Sequence, residues 1–503
     1  MSMPAELLRS RPDLEQLLRG LAAAPPLEIS GIAADSRGLD RGYLFLACRG
    51  ATSHGLDFLP DALAAGVAAV AFDPDTGDPG TVETEVPLIP VAGLGGQVGE
   101  IANRWFDAPS RTLKVTGVTG TNGKTTVAWL LAQCLGLLET RCGYIGTLGS
   151  GIGELDDAQR MTTPACIDLH RTLAEFVAAR ATHAALEVSS HAISQQRIDG
   201  VQFDAAIFTN LSRDHIDYHG SMREYGESKA RLFIDHQPQH RIIVVDSEFG
   251  QQLANRCREN TVIVATTLDR LANGQPHVLV TSIVAHDQGS RVAFVSSWGE
   301  GEFELPLPGA FNVANAVAVL ALLLRWGVPL GTACELFGQV EAPPGRMQRV
   351  AAPPELPTVY VDYAHTPAGL EAVLQALRVH CRGRLWCVFG CGGDRDRGKR
   401  PLMGKIVQRL ADHPVVTSDN PRGEEPGRII GDVLDVMSAD AVAIEDRAAA
   451  IAYAIHSAGA GDVVVVAGKG HEEYQLIGDR RLPFSDYACA QACLASRRDA
   501  GRR

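Results

Sequence analysis

The chain has 503 residues, room for roughly three domains at ~150 residues each. Hydrophobic residues make up 46% and charged residues 21%, the balance of a globular protein with well-formed cores. A net charge of −13 with no long basic run excludes a general nucleic-acid binder, so an anionic ligand needs a local positive site.

The opening stretch MSMPAELLRSRPDLEQLLRG is broken by charges and has no signal-peptide core. Residues 1–108 form an Ala-, Gly- and Pro-rich α/β segment with strands expected in YLFLA and VAAVAF. A second segment, 109–340, begins at RTLKVTGV, where an apolar strand runs into a glycine loop and then the amphipathic TTVAWLLAQCLGLL. Strands in HAALEV, DAAIFTN and RIIVVD follow at the spacing of a mainly parallel sheet, and around 277–307 the pattern turns to antiparallel ribbons. The apolar run AVAVLALLL at 316–324 is too short to span a bilayer and suits a buried helix. EAPPGR at 341–346 reads as a linker. Beyond it, TVYVDYA, RLWCVFG, HPVVTSD and DVVVVAG alternate with helical lengths to make a second doubly wound domain, 341–503. The expected fold class is α/β in three domains, with a central P-loop parallel-sheet domain and a Rossmann-like C-terminal one. The eleven cysteines lack zinc-type pairing and suit reduced structural thiols; Cys489 and Cys493, four apart on a helix, make no metal site by themselves.

The polar motifs follow strands directly, where open parallel sheets bind ligands. GVTGTNGKTT, residues 117–126, resembles a P-loop with one extra residue between its first glycine and Gly123-Lys124. Gly117, Gly120 and Gly123 would let backbone N–H groups approach phosphate, with Thr121, Asn122 and Thr126 in the same cradle. Lys124 would neutralise β/γ charge, and the Thr125 hydroxyl would ligate Mg²⁺. The pattern points to a nucleoside triphosphate and leaves the reaction open. Glu187 ends the strand HAALEV, where a further Mg²⁺ ligand is wanted, and FTNLSRDHIDYHGS gathers Asp214, His215, Asp217 and His219. By spacing alone, Lys229 in YGESKARLF is a helix-surface lysine. In SDNPRGEE, residues 418–425, Pro421 stiffens the loop around Asn420 and holds Arg422 at its tip, where a planar fork suits a carboxylate or phosphate.

With GVTGTNGKTT, EVSSHAISQQR, FTNLSRDHIDYHGS, GAFNVANA, PGRM, DYAHTP, GCGGDRDRGKRPLMG, DNPR and GKGHEEYQ in this order, the sequence resembles the Mur ligase family over nearly its whole length. The resemblance implies ATP-dependent addition of meso-diaminopimelate to UDP-N-acetylmuramoyl-L-alanyl-D-glutamate through an acyl phosphate, in bacterial peptidoglycan synthesis. It implies Lys124, Thr125 and Glu187 for nucleotide and a first Mg²⁺, His215 for a second, and Lys229 as a carbamate supporting that metal. Asn312, Asn315, Arg346, Asp362 and His365 match nucleotide-contacting positions. Ser36, Thr162, Thr163, Ser189, Gln195 and Arg197 match the UDP-dipeptide set; RGATSHGLDF departs from the pattern, so uridine contacts are not assigned there. Arg395, Asp419, Asn420, Pro421, Arg422, Gly468 and Glu472 match the diaminopimelate set. A cytoplasmic monomer with small-molecule partners, and neither nucleic acid nor membrane, is the accompanying expectation. The rivals are folylpolyglutamate synthase, which should lack the DNPR and GKGHEEYQ pairing, and a non-catalytic ATP-binding switch, which would need no amino-acid pocket.

Overall fold

The computed structural model describes residues 11–50, 52–156, 161–266 and 274–500; the first ten residues of the charge-broken N-terminal stretch lie outside them. The chain divides into two compact units, Met1–Val262 and Ile263–Arg503, with the boundary inside the strand Thr261–Ala265.

The first unit opens with a four-stranded parallel sheet, Gly31–Ala33, Tyr43–Ala47, Ala69–Phe72 and Leu88–Pro90 in that order. YLFLA is the second strand in full, whereas only the last four residues of VAAVAF extend. Leu44 and Leu46 pack with Ile101 and Trp105 of helix Leu94–Trp105 in one apolar cluster. Each such side chain contributes ~1.5–3 kcal/mol by leaving water.

A second sheet of this unit runs His240–Val244, Ala205–Phe208, Lys114–Thr119, His183–Glu187 and Cys142–Gly146, and Gly149–Ile152 and Glu154–Asp156 extend it as antiparallel ribbons. Lys114–Thr119 therefore lies between the strand that ends in Glu187 and the strand that precedes Thr209. It is buried along all but its first residue, as a central parallel strand covered on both faces requires. Three carboxyl ends thus converge on one place, and they carry three of the motifs singled out in the sequence.

In the second unit, His277–His286, Gly289–Ser296 and Gly299–Leu305 pair antiparallel, as the alternating pattern there predicts. The run 316–324 lies in helix Ala310–Arg325 and is buried throughout. A six-stranded sheet follows, ordered Gln348–Val350, Thr358–Asp362, Val463–Ala467, Leu385–Phe389, His413–Val416, Val442–Ala443. It is parallel apart from the first edge strand. The late strand Val463–Ala467 is inserted between two earlier ones, so the loop GKGHE emerges between DYAHTP and GCGGDRD. Among the described residues no helix is long and apolar enough to cross a membrane. All eleven cysteines are free thiols.

Candidate active site

The phosphate loop owes its shape to glycines and to a neighbouring strand end. Gly120 has φ 153° and Gly123 φ 85°, and a Cβ on Gly120 would stand 1.9 Å from the Thr209 hydroxyl, so no side chain fits there. Gly117 differs: it sits within the strand, where an added Cβ would lie 2.8 Å from the Phe203 ring, so packing accounts for its missing side chain. The residues after Ala205–Phe208 clamp the loop from the other side. The Thr121 N–H donates to the Asn210 carbonyl (2.9 Å), the Asn122 N–H to Asn210 Oδ1 (3.0 Å), and Thr209 Oγ1 donates to the Asn122 carbonyl (2.6 Å). Helix Lys124–Leu137 starts without a side-chain cap, leaving the first-turn N–H groups and the positive end of the helix for an anion. Lys124 Nζ folds back onto the carbonyls of Gly120 (3.0 Å) and Thr121 (2.9 Å), and Thr126 is buried in the first turn.

Glu187 is fully buried, and among the described residues its carboxylate meets hydroxyls and a backbone amide. It accepts from Tyr144 Oη (2.5 Å), the Thr147 N–H (2.9 Å) and hydroxyl (3.2 Å), and Thr125 Oγ1 (2.9 Å). Thr125 and Glu187 form a hard-oxygen pair beside the phosphate loop, and the described residues hold no cluster of three His, Cys, Asp or Glu side chains suited to a metal. That donor set fits Mg²⁺, which takes one or two protein oxygens and completes its shell with water and phosphate. Tyr144→Phe, which removes a charged-acceptor hydrogen bond of ~1.5–3 kcal/mol, is expected to raise the Mg²⁺ needed for half-maximal nucleotide binding about tenfold. Calorimetric titration checks this, and an unchanged requirement would remove Tyr144 from the site.

Lys229 overturns the spacing-based expectation of a surface lysine. It lies on helix Met222–Ile234, is 1% exposed, and donates to the Gly120 carbonyl at 2.9 Å with its ammonium 4.4 Å from the Tyr225 ring centroid. Burial, reinforced by Lys124, pushes its pKa well below the ordinary lysine value. His215 is half exposed, adopts the left-handed φ of 52°, and has Asp214 as its nearest carboxylate at 3.5 Å. Its ring contacts His191 (centroids 4.8 Å) and Tyr225 (6.1 Å); His191 in turn meets the Tyr218 ring at 4.1 Å, tilted by 43°. Of the four proposed metal groups, Thr125 and Glu187 touch directly, while Lys229 and His215 approach through Gly120 and the aromatic cluster.

Five of the six residues matched to the UDP-dipeptide form one hydrogen-bonded chain against Glu187. Thr163 Oγ1 donates to the Glu187 carbonyl (2.8 Å) and accepts from the Ser189 N–H (3.1 Å), and Thr147 Oγ1 bonds Thr162 Oγ1 (3.2 Å). Arg197 donates to the Thr163 carbonyl (3.1 Å) and to Gln195 Oε1 (2.5 Å), and Gln195 Nε2 donates to Tyr218 Oη (3.2 Å). Ser36 stands apart, in the short turn Ser36–Gly38 after the first strand of the small sheet, capped by Asp35.

In the second unit, Asn312 and Asn315 are buried near the start of helix Ala310–Arg325, and Asn312 Nδ2 donates to the Pro308 carbonyl at 2.8 Å. Asp362 accepts from the N–H groups of Met347 (2.7 Å) and Ala364 (2.8 Å), with burial raising its pKa and Arg346 opposing that. Arg346 lies over the Tyr363 ring (4.4 Å), and the His365 carbonyl accepts from Lys399 (2.9 Å).

Arg422 is held in an unusual way. Its φ is 51°, a left-handed conformation that costs a side-chain-bearing residue ~1–2 kcal/mol. Its N–H and C=O are strapped to the hairpin Tyr474–Pro483 through the Leu476 carbonyl (3.0 Å) and the Gly478 N–H (2.7 Å). Among the described residues the guanidinium donates to main-chain carbonyls alone, Gly393 at 2.9 Å and Asn420 at 3.5 Å, and joins no ion pair. Arg395 shares the loop beneath it: a Cβ on Gly392 would lie 2.9 Å from the Arg422 guanidinium and 3.8 Å from Arg395 Cγ. Pro421 is buried, Asp419 caps the Asn420 N–H (2.7 Å), and Gly468, φ 121°, leaves room for Asp419, whose Oδ2 would be 2.5 Å from any Cβ there. Asn420 Nδ2 donates to Glu472 Oε2 at 2.9 Å.

Sequence reasoning missed several groups: in the first unit Tyr144 and Thr147 on Glu187, Asn210 under the phosphate loop and the His191–Tyr218 ring contact, and in the second unit buried Lys469. His191, Asn210, Tyr218 and Lys469 each lie inside a motif that was already quoted, whereas Tyr144 and Thr147 lie in none.

A central parallel strand, a glycine loop on a helix N-terminus, and a buried Thr–Glu pair beside it define a P-loop nucleotide-binding domain. Family models agree and go further: the Mur ligase family, catalytic domain matches residues 28–106, the Mur ligase middle domain 118–323, and the Mur ligase, glutamate ligase domain 345–470. Similar curated proteins include a UDP-N-acetylmuramoyl-L-alanyl-D-glutamate–2,6-diaminopimelate ligase from Alkalilimnicola ehrlichii, 46% identical over 93% of this chain and 95% of that protein. One of the same name from Pseudomonas aeruginosa is 46% identical over 93% and 96%. A solved structure bearing that name superposes with a TM-score of 0.73 at 31% identity, covering 98% of this chain and all of the other. The chain belongs to the Mur ligase family.

Proposed function

We propose that this protein is an ATP-dependent ligase joining meso-diaminopimelate to UDP-N-acetylmuramoyl-L-alanyl-D-glutamate in bacterial peptidoglycan synthesis. The observation that supports the reading is Arg422: a guanidinium presented on strained backbone, bonded among the described residues to main-chain carbonyls alone, suits a ligand carboxylate. The names of the relatives at 46% identity point the same way.

The chemistry follows from the substrates. A carboxylate repels an amine until one oxygen becomes a leaving group, so a carboxylate oxygen of the acceptor first takes the γ-phosphoryl group and ADP departs. The amine then attacks the acyl carbon, a tetrahedral intermediate collapses with loss of phosphate, and the amine proton is released. The protein's task is to place groups and balance charge. Lys124 and the first-turn N–H groups would hold the phosphates, and Mg²⁺, held by Thr125 and Glu187, would neutralise developing charge. Lys229, a buried amine whose pKa burial pushes down, would add CO₂ to become a carbamate and release a proton, giving an anion beside Tyr225 and the phosphate loop.

Thr162, Thr163, Ser189, Gln195 and Arg197, with Ser36, would bind the UDP-dipeptide. Asn312, Asn315, Arg346, Asp362 and His365 would serve the nucleotide. Arg395, Asp419, Asn420, Pro421, Arg422, Gly468 and Glu472 would bind diaminopimelate. We place functional boundaries near residues 108 and 340, giving substrate, nucleotide and amino-acid domains, and expect a cytoplasmic monomer. A phosphate-release assay with the UDP-dipeptide as acceptor tests the reading: release should depend on meso-diaminopimelate and be far weaker with L-lysine. Release independent of the amino acid would make the protein a nucleotide switch instead.

A further inference from the structure

Lys469, in the loop GKGHE, is fully buried, a position an ammonium tolerates only with close partners. Two of its protons are assigned, one to Asn420 Oδ1 and one to Glu472 Oε2, both at 3.0 Å. Asn420 Oδ1 also accepts from the Leu476 N–H (2.9 Å), so its amide has a single orientation, with Nδ2 turned toward Glu472 Oε2 at 2.9 Å. Rotating that amide would set an NH₂ group against an ammonium and a backbone N–H. Glu472 Oε2 thereby takes two donors, and among the described residues Oε1 has no hydrogen-bond donor. The loop itself cannot drift: its Gly468 N–H bonds the Asp362 carbonyl (3.0 Å), and Gly470 packs so closely on Gly345 that an added Cβ would lie 2.7 Å from the Gly345 carbonyl oxygen.

We propose that Lys469 is a specificity-determining positioning residue: its ammonium cancels the charge of Glu472 and fixes the Asn420 amide, so that the pocket favours an amino acid whose far end bears both an ammonium and a carboxylate over one bearing an ammonium alone. The physical step is differential. A ligand with a bare ammonium needs a free counter-charge, and Lys469 has already used the charge of Glu472. A zwitterionic far end has no such need, because its ammonium can hydrogen-bond Oε1 while its carboxylate meets Arg422. Arginine selects by attraction; Lys469 removes the reward for the wrong ligand. The inference rests on the ligase reading given above.

The test compares kcat/KM for meso-diaminopimelate with that for L-lysine by phosphate release from the full-length enzyme, in wild type, Lys469→Met, Lys469→Arg and Glu472→Gln. Lys469→Met should lower the diaminopimelate-to-lysine ratio about tenfold or more, one buried charge interaction being worth at least that. The change should lie in KM for the amino acid, with KM for ATP unmoved, and Lys469→Arg should keep most of the ratio. Glu472→Gln, which leaves the lysine uncancelled, must shift the ratio the opposite way; this holds the proposal to account even if Lys469→Met fails to fold. Equal losses for both amino acids, or a ratio unchanged in both variants, would make Lys469 a purely structural residue and overturn the inference. A wild-type enzyme with no preference for diaminopimelate would instead sink the substrate assignment beneath it.

Discussion

Arg422→Ala should lower kcat/KM for meso-diaminopimelate about a hundredfold or more while leaving ATP binding at its wild-type level. The magnitude follows from removing one partner of a buried charge pair, which costs ~3–5 kcal/mol because the other charge is left without compensation. The arginine has no acidic partner among the described residues, so its truncation disturbs no internal ion pair; what it loses are bonds to the Gly393 and Asn420 carbonyls. Arg422→Gly separates function from strain. Glycine accepts a φ of 51° without penalty, so this variant should match or slightly exceed wild type in thermal stability and yet be as poor a catalyst as the alanine variant. Arg422→Lys should recover only part of the activity, since a point charge cannot reproduce a bidentate fork. Steady-state kinetics with each variant checks this series, and wild-type efficiency in the alanine or glycine variant would remove Arg422 from substrate recognition.

The parts of this architecture legible in the sequence are those governed by short-range rules. Apolar runs gave the strands at 43–47, 183–187, 358–362 and 463–467, and the glycine–lysine–threonine loop announced a phosphate site where the strand Lys114–Thr119 ends. Burial of individual charges was not legible, because it depends on which elements meet. Lys229 has the spacing of a solvated helix face, yet its helix lies against the phosphate loop and the lysine reaches the Gly120 carbonyl, 109 positions away in sequence. Lys469 and Arg447 are buried for the same reason; Arg447 finds Asp486 and the carbonyls of Ser418 and Ala467 only when the sheet of the second unit is assembled. Tyr144 and Thr147 sit on a strand and turn with no motif at all, and they matter because strand Cys142–Gly146 pairs beside the one ending in Glu187. Gly117 shows the converse: motif membership alone does not reveal that the Phe203 ring, distant in sequence, also leaves no room for a side chain there.

Lys229→Ala should abolish most ligation, and short carboxylic acids should restore part of it by occupying the space of the lost side chain and supplying an anion beside the phosphate loop. The prior condition is an amine that is neutral near physiological pH, since only the free amine adds CO₂. A measurement independent of catalysis tests that condition. A native lysine whose pKa lies well below its unfolded value of ~10.4 binds fewer protons than the unfolded chain does, so its contribution to stability rises with pH from the depressed native pKa up to ~10.4. Lys229→Met removes this dependence while keeping an apolar stem of similar length against Tyr225. Urea unfolding at several pH values from 6 to about 9 should therefore show wild type gaining on the methionine variant as pH rises, with the slope set by one proton at most. A stability difference that does not change with pH would mean the ammonium persists in the folded protein, leaving no amine to carbamylate. Failure of carboxylates to rescue Lys229→Ala, with that slope present, would keep the neutral amine and reject the anionic role assigned to it.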